Sequence, residues 1–407
     1  MRLVHTADLH LGYRAYHRTD HRGVNIREAD VARAFRELLS RCAEIAPELL
    51  LIAGDVFHTV RPSNAAIADA FRQFSNFRAM APGTRVVIIA GNHDSPKAVE
   101  TGSILRLFAE IEGISVVHQE AKRLVLPELD TAILCLPSAA LAAEQPVAIE
   151  PYPKARHNIL LAHAKPPTDD ERFQLLIDFG ALPLRMEALD LGDWTYIGLG
   201  HYHIRGAVND RAFYPGAIER TGLNIWAEAD NRPPAKKQDP WRGAAWGKGF
   251  IEYDAESRHA RFHRLESPRP VLDLDPVLDG DSCTPQELNE RIEAAVGAIA
   301  GGIAGKIVRL RAFNVPHGVY RDIDHRRMRE YRTEALHFHL DVKPPRIVRR
   351  EGSAAPGRRL SLPEELSSFL KNRWKPESTG VDREALIELG LRYLKEAEER
   401  ESVEGRE

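Results

Sequence analysis

Five short turns in this chain of 407 residues carry side chains of the kind that bind divalent metals, and they follow or close apolar runs. Asp8-Leu9-His10 follows LVHTA, Gly54-Asp55 follows LLIA, and Asn92-His93-Asp94 closes VVIIAG. His163 follows ILLA, and Gly200-His201-Tyr202-His203 follows WTYIGL. Apolar runs of this length read as buried strands. Carboxylate, imidazole and amide donors at strand ends are how a sheet holds metal ions. Such a donor set suits hydrolysis of a phosphodiester. The phosphate charge must be neutralised, a water deprotonated near neutral pH, and the leaving oxygen helped away. Two metal ions a few ångström apart meet the first two needs and steady the third.

Asp55 is the best bridging candidate, being anionic and central in the strand order. Asp8, His10 and one histidine of GHYH could complete one ion; Asn92, His163 and the other GHYH histidine could complete the second. On an extended backbone, residues i and i+2 of D-x-H and H-x-H point to one side. Leu9 and Tyr202 then face elsewhere. The mixed N and O donors favour Mn, Fe or Zn over Ca or Mg, and the absence of Cys from these turns argues against a structural zinc. His93 is expected beside the phosphate, donating a proton or hydrogen bond, with Asp94 as the carboxylate that fixes its tautomer and raises its pKa. His58 is a candidate phosphate contact. His5, His17, His21, His157 and His337 read as packing or surface residues. The stretch GAIAGGIAGK at 297–306 lacks GxxxxGK[ST], because Ile307 follows Lys306, and reads as a helix-to-strand junction.

The positioning elements follow from periodicity. Strands are expected at 3–7, 49–53, 86–90, 114–117, 123–126, 131–136, 158–162, 194–199, 248–253 and 259–265. Helices are expected at 28–46, 63–80 (capped by Ser63) and about 101–110, with one or two short ones in 171–191. Residues 13–27 form a loop rich in Arg and His that faces substrate or solvent; 138–157 and 228–245 are surface excursions, and 206–216 a hairpin. This alternation is the grammar of a layered α/β domain. SPRP at 267–270 marks a boundary. A helix at 285–299, a strand at 307–315, a helix at 324–336 and a strand at 337–342 then suffice for a small second α/β domain. The expected divisions are 1–266, 271–345, a linker at 346–362 and tail helices within 363–400 (363–374 and 382–400).

Composition bounds the setting. So long a chain is expected to hold more than one domain. Its 43% hydrophobic and 28% charged residues are ordinary for a soluble globular protein. Cys42, Cys135 and Cys283 are scattered, with no CxxC, which fits a reducing compartment. No leader-like apolar region follows Met1-Arg2, and no apolar run reaches the roughly 18 residues of a membrane span. The cytoplasm is the expected compartment, without membrane association. A net charge of −3 excludes a protein coated in positive charge, while a metal site can still attract phosphate locally.

The turns DLH (8–10), GDVFH (54–58), GNHD (91–94), AHA (162–164) and GHYH (200–203) resemble those of the calcineurin-like metallophosphoesterase superfamily. Within it, MRLVHTADLHLG, GDVFH with its trailing His58, and YIGLGHYH followed by FYPG and GKGF are similar to the SbcD family, nuclease subunits of bacterial double-strand-break repair complexes. YhaO-like exonucleases also fit. The resemblance covers residues 1–265 well and the rest weakly. It implies an α/β fold: a layered metallophosphoesterase β-sandwich flanked by helices, a small α/β capping domain that binds DNA, and a helical C-terminal tail. It implies one manganese held by Asp8, His10, Asp55 and His203, and another by Asp55, Asn92, His163 and His201. His93 would be the catalytic histidine, supported by Asp94, and His58 would help place the scissile phosphate. The implied activities are exonuclease on DNA ends and single-strand endonuclease, in a homodimer bound to an SbcC-like SMC-type ATPase whose coiled-coil base receives 363–400.

Two further stretches keep two readings each. Lys343, Arg346, Arg349, Arg350, Arg358, Arg359, Lys371 and Arg373 touch DNA backbone or belong to a solvated linker. The apolar face of 386–394 docks on a coiled coil or folds back on its own chain. Two other functions compete with the nuclease. Against a phosphoesterase for small phosphodiesters or cyclic nucleotides stand residues 270–400; against a non-catalytic DNA-end-binding scaffold stands the complete donor set.

Overall fold

The computed structural model describes residues 1–96, 102–143, 147–165, 193–229, 247–278, 283–345, 362–372 and 384–393, together with Trp374 and Asp382. The chain divides into two compact units, Met1–Pro345 and Arg346–Glu407. Among the described residues no helix is long and apolar enough to cross a membrane. The helices expected in 171–191 lie outside the described residues.

In the first unit, β1 (Arg2–Thr6), β2 (Leu49–Ala53), β3 (Arg85–Ile89) and β4 (Ile114–Val117) run parallel, with α1 (Ile26–Ile45) and α2 (Asn64–Met80) as crossovers. A second run comprises β5 (Lys122–Leu126), β6 (Thr131–Leu136), a single turn α3 (Ser138–Leu141), β7 (His157–His163), β8 (Tyr196–Gly200), β9 (Gly206–Ala207) and β10 (Ala212–Tyr214). β11 (Gly249–Asp254) and β12 (His259–Arg264) then return to the first sheet, β11 pairing antiparallel with β1. The two six-stranded sheets have orders β12-β11-β1-β2-β3-β4 and β5-β6-β7-β8-β10-β9.

Alternation along the strands explains the layers. Leu3, Leu49, Leu51, Val87 and Ile89 face Ile133, Cys135, Ile159, Leu161 and Tyr196 between the sheets. Their neighbours Val4, Leu50, Ile52, Val86 and Ile88 face α1 and α2, meeting Val31, Phe35, Leu38, Phe74 and Phe77. Strands covered on both faces read as continuous apolar runs, which is why LLLIA is buried throughout. α1 begins at Asn25, whose side chain accepts from the Arg27 and Glu28 amides, and ends where Ala46 turns left-handed. Ser63 caps α2, as its sequence position predicts. The helix expected at about 101–110 is instead a 3-10 helix, Ile104–Glu110, and the expected surface connection at 138–157 opens with the α3 turn.

Beyond Pro270 a parallel three-stranded sheet forms from β13 (Val271–Asp273), β14 (Ile307–Ala312) and β15 (His337–Val342). It is covered by α4 (Pro285–Gly297), α5 (His317–Arg321) and α6 (His325–Glu334) around a core that includes Leu288, Ile292, Leu310, Met328 and Phe338. α4 starts with a reciprocal Thr284–Glu287 capping box. Ile225 and Ala229 pack against Val271, Ile307 and Leu336, and so seat this sheet on the larger domain. In the second unit, α7 (Leu362–Asn372) places Leu366 against Gly390 of a helical stretch at 384–393.

His5 is the polar exception within the inter-sheet core. Its side chain is fully buried, and Nδ1 shares a 2.9 Å hydrogen bond with the Tyr196 hydroxyl. Burial pushes its pKa down to about 3. The unfolded chain therefore takes a proton near pH 6.5 that the fold refuses until about pH 3, and this contribution to stability is lost as pH falls through that window. Replacing His5 with Leu should cost about 1–3 kcal/mol at pH 7.5, because a buried Tyr196 hydroxyl loses its partner. At pH 5 the native chain has itself lost on the order of 2 kcal/mol, so the gap between the two proteins should shrink. Denaturant midpoints at both pH values measure this; a pH-independent gap would contradict it.

Candidate metal centre

Parallel pairing aligns the strand exits. The registers Thr6↔Ile52, Ala53↔Ile89 and His163↔Gly200 put the ends of β1, β2, β3, β7 and β8 at one edge of the sandwich. There the first two turns zip together: Asp8 N donates to Gly54 O at 3.0 Å, His10 N to Asp55 O at 2.9 Å and Leu11 N to Val56 O at 2.9 Å. Two close approaches demand glycine. A Cβ on Gly200 would lie 1.8 Å from Ala53 O, and one on Gly91 would lie 2.1 Å from Asp55 Oδ1.

The backbone that converges these side chains is not extended. Asp8 (φ 53°), His10 (φ 48°), Asp55 (φ 51°) and His201 (φ 105°) all adopt positive φ. Strand alternation therefore does not explain D-x-H or H-x-H here. Tight left-handed turns do, held by the inter-loop hydrogen bonds; strain of this kind persists only where the surroundings over-determine it. Leu9 and Tyr202 do face away, into the cores on either side.

Asp55 sits at the centre. Its Oδ2 lies 3.3 Å from His163 Nε2 and 3.9 Å from His10 Nε2, while Oδ1 accepts from His93 N at 2.9 Å. On one side His10 Nε2 is 2.9 Å from His203 Nε2. That is close to the separation of about 3 Å between neighbouring nitrogens each roughly 2.1 Å from one ion. On the other side His163 Nε2 is 2.9 Å from Asn92 Oδ1, and the His163 ring meets His201 edge-on at 5.4 Å. Asp8 accepts from His201 N at 3.0 and 3.1 Å. The ligand atoms of Asp8, His10 and His203 lie within 4.8 Å of one another, as do those of Asp8, Asp55 and His163.

The electrostatics call for a cation. Burial pushes Asp8 up to about 7, against the pull of His163 and with the Asp55 charge adding to the rise. Burial also opposes ionisation of Asp55, but the charge and hydrogen bond of His163, and then His10, hold it well below the usual carboxylate range. His163 itself is carried to about 9: burial works against its charge, and Asp55 outweighs it. His163 Nδ1 donates to Ala53 O at 2.8 Å. That bond fixes the tautomer, so once the other proton leaves, Nε2 presents a lone pair to the site. Buried carboxylates and tautomer-fixed imidazoles of this kind fit divalent metal.

The expected pairing of Asp94 with His93 needs correction. Asp94 was expected beside the His93 ring, yet its carboxylate accepts from the backbone amides of Val56 (3.0 Å), Phe57 (2.9 Å) and Gly91 (3.0 Å). It clamps the two turns together. His93 Nδ1 instead donates to the carbonyl of His58 at 2.7 Å, so a backbone oxygen sets its tautomer. Burial, with Asp55 adding, pushes Asp94 up to about 7, while the three amides pull it down. His58 lies in the same pocket, with Nδ1 3.3 Å from His10 Nδ1 and its ring stacked on His93 at 5.4 Å. His58 thus touches His10 as well as being a candidate for contact with the phosphate. No side-chain pattern marks the carbonyls of Ala53 and His58, because an acceptor on the backbone has no signature in sequence. Lys248 does carry a visible signal, a lysine between the two glycines of GKGF at the head of an apolar strand.

A family model described as calcineurin-like phosphoesterase matches residues 1–205, just over half of the chain. The chain belongs to the calcineurin-like phosphoesterases. Its relatives include proteins named DNA double-strand break repair protein Mre11. The protein from Methanocaldococcus jannaschii is 27% identical over 272 residues, 62% of each chain. That from Methanococcus maripaludis is 32% identical over 117 residues, 29% of each. That from Sulfurisphaera tokodaii is 26% identical over 204 residues, 50% of this chain and 49% of that one. The matches thus span 62% or less of these relatives' own lengths. The chain carries His and Asp clusters consistent with a metallophosphoesterase-type catalytic site.

Because a histidine ligates only when neutral, a metal bound by His163 would displace the proton that Asp55 stabilises on it. Mn2+ affinity should therefore strengthen by about one log unit per pH unit between pH 7 and 9, with proton release. Calorimetry in buffers of different ionisation enthalpy measures it. Affinity that stays flat across this range would contradict the His163–Asp55 pairing.

Proposed function

We propose that the chain is a two-metal, manganese-dependent DNA nuclease of the SbcD type, acting on DNA ends and on single strands during double-strand-break repair. One observation carries this reading: two sets of donors flank the single carboxylate of Asp55, with His93 anchored beside them. Asp8, His10, Asp55 and His203 would hold one ion, and Asp55, Asn92, His163 and His201 the other. Bound there, two divalent ions supply charge neutralisation for the phosphate and a lowered pKa for an attacking water.

The chain's own groups do the rest. His93, tied through Nδ1 to the His58 carbonyl, presents Nε2 for proton donation to the departing oxygen. Asp94 keeps the turns that carry Asp55 and Asn92 in register. His58 orients His10 or meets the phosphate from the same pocket. Nucleic acid as substrate is supported by the names of the relatives, and by a small α/β layer that a phosphoesterase for small molecules does not need. Phe369, Leu389 and Tyr393 are exposed on the second unit. They support docking of this tail on a coiled coil of an SMC-type ATPase, in an assembly containing two copies of the chain.

Asp55→Ala should lose both bound Mn2+ and cleavage of end-labelled DNA. His93→Ala should keep its Mn2+ and lose cleavage by about 10²–10⁴-fold. Activity on a chromogenic small diester but not on linear DNA would refute the nuclease reading. Equal loss of metal from the two variants would refute the role given to His93.

A further inference from the structure

We propose that Lys248 and Glu228 are positioning residues for His203, an inference that rests on the reading of His203 as a metal ligand. The carbonyl of His203 accepts two hydrogen bonds, from Ala217 N at 3.1 Å and from Lys248 Nζ at 2.6 Å. Together they fix the peptide plane from which the imidazole projects. Lys248 is 5% exposed, at the head of β11, and its ammonium is ion-paired with the Glu228 carboxylate, itself 4% exposed.

Glu228 and His203 also meet beside Gly222. A Cβ built on Gly222 would lie 2.8 Å from Glu228 Oε1 and 3.1 Å from His203 Nδ1, so carboxylate and imidazole both border the space that this glycine leaves. The space left among His203, Arg220, Glu228 and Lys248 is a cavity of about 20 Å³, room for about one water. A shift of Lys248, or of the Glu228 that holds it, would act on the GHYH turn through the His203 carbonyl.

The pair is the inner end of a larger buried network. Arg220 Nε donates to Glu228 O at 3.0 Å. Arg27 donates to Arg220 O at 2.9 Å and pairs with Glu219 at 3.4 Å and Asp30 at 3.0 Å. Arg269, at the entry to the small sheet, pairs with Asp30 at 2.8 Å. Three buried cations (Arg27, Arg220, Lys248) thus face three buried acids (Asp30, Glu219, Glu228). Burying so many ions carries a heavy desolvation penalty, and apolar replacements of buried ion pairs are often neutral or stabilising. Stability alone therefore gives no reason for a Lys–Glu pair at this spot; the need for a donor aimed at the His203 carbonyl does.

That distinction sets the experiment on the full-length chain. The double variant Lys248→Met/Glu228→Leu removes both charges together, so its metal-free melting temperature should stay near that of the native chain. Titration followed by the EPR signal of free Mn2+ should nonetheless show one of two equivalents bound about tenfold or more weakly. Glu228→Gln, which keeps shape and hydrogen-bonding capacity, should weaken the same equivalent and serves if the double variant fails to fold. Native affinity for both equivalents in the folded double variant would overturn the proposal; so would native affinity in Glu228→Gln where the double variant is unfolded. A native chain that takes up no Mn2+ overturns the metal-site reading itself, an outcome distinct from the other two.

Discussion

The structure turns on one buried anion. The Asp55 carboxylate lies almost fully inside the protein, where an uncompensated charge is intolerable, and it stays ionised because His163 and His10 converge on the same oxygen. Without a metal, a protonated His163 supplies the compensating charge. With one, cations replace that proton. The same geometry that makes the buried anion tolerable therefore suits the site to divalent metal.

Both sheets are needed to build this arrangement. Asp8, Asp55 and Asn92 leave the first sheet, and His163, His201 and His203 leave the second, so neither sheet alone could surround a cation. What joins them is the apolar layer between Leu49, Leu51 and Val87 on one side and Ile159, Leu161 and Tyr196 on the other. Packing of that layer sustains the left-handed turns at Asp8, His10, Asp55 and His201, which would otherwise relax. Glycines at 91 and 200 let the backbones approach closely enough for the donor side chains to meet. Fold stability and site geometry are in this sense one property.

Much of this was legible in the residues. Runs such as LLLIA and ILLA are apolar at every position because both faces are covered, and their exits display the donors openly. The α1 and α2 spans followed from helical spacing and from Ser63. Three things were not legible, each for a physical reason. The i, i+2 geometry was assigned to extended backbone, whereas positive φ at Asp8 and His10 depends on hydrogen bonds to residues 54 and 55, far off in sequence. Asp94 was paired with its neighbour His93, but its partners are amides of Val56, Phe57 and Gly91, visible only once the turns have met. The network from Lys248 to Arg27 joins segments more than 200 residues apart, and no local pattern announces such pairings.

Anomalous diffraction from crystals soaked in Mn2+ is the most direct measurement. Two peaks about 3.5–4 Å apart are predicted, sharing the Asp55 carboxylate, one beside His10 and His203 and the other beside Asn92 and His163. A lone peak, or peaks that leave Asp55 without a metal neighbour, would contradict a centre built around that carboxylate.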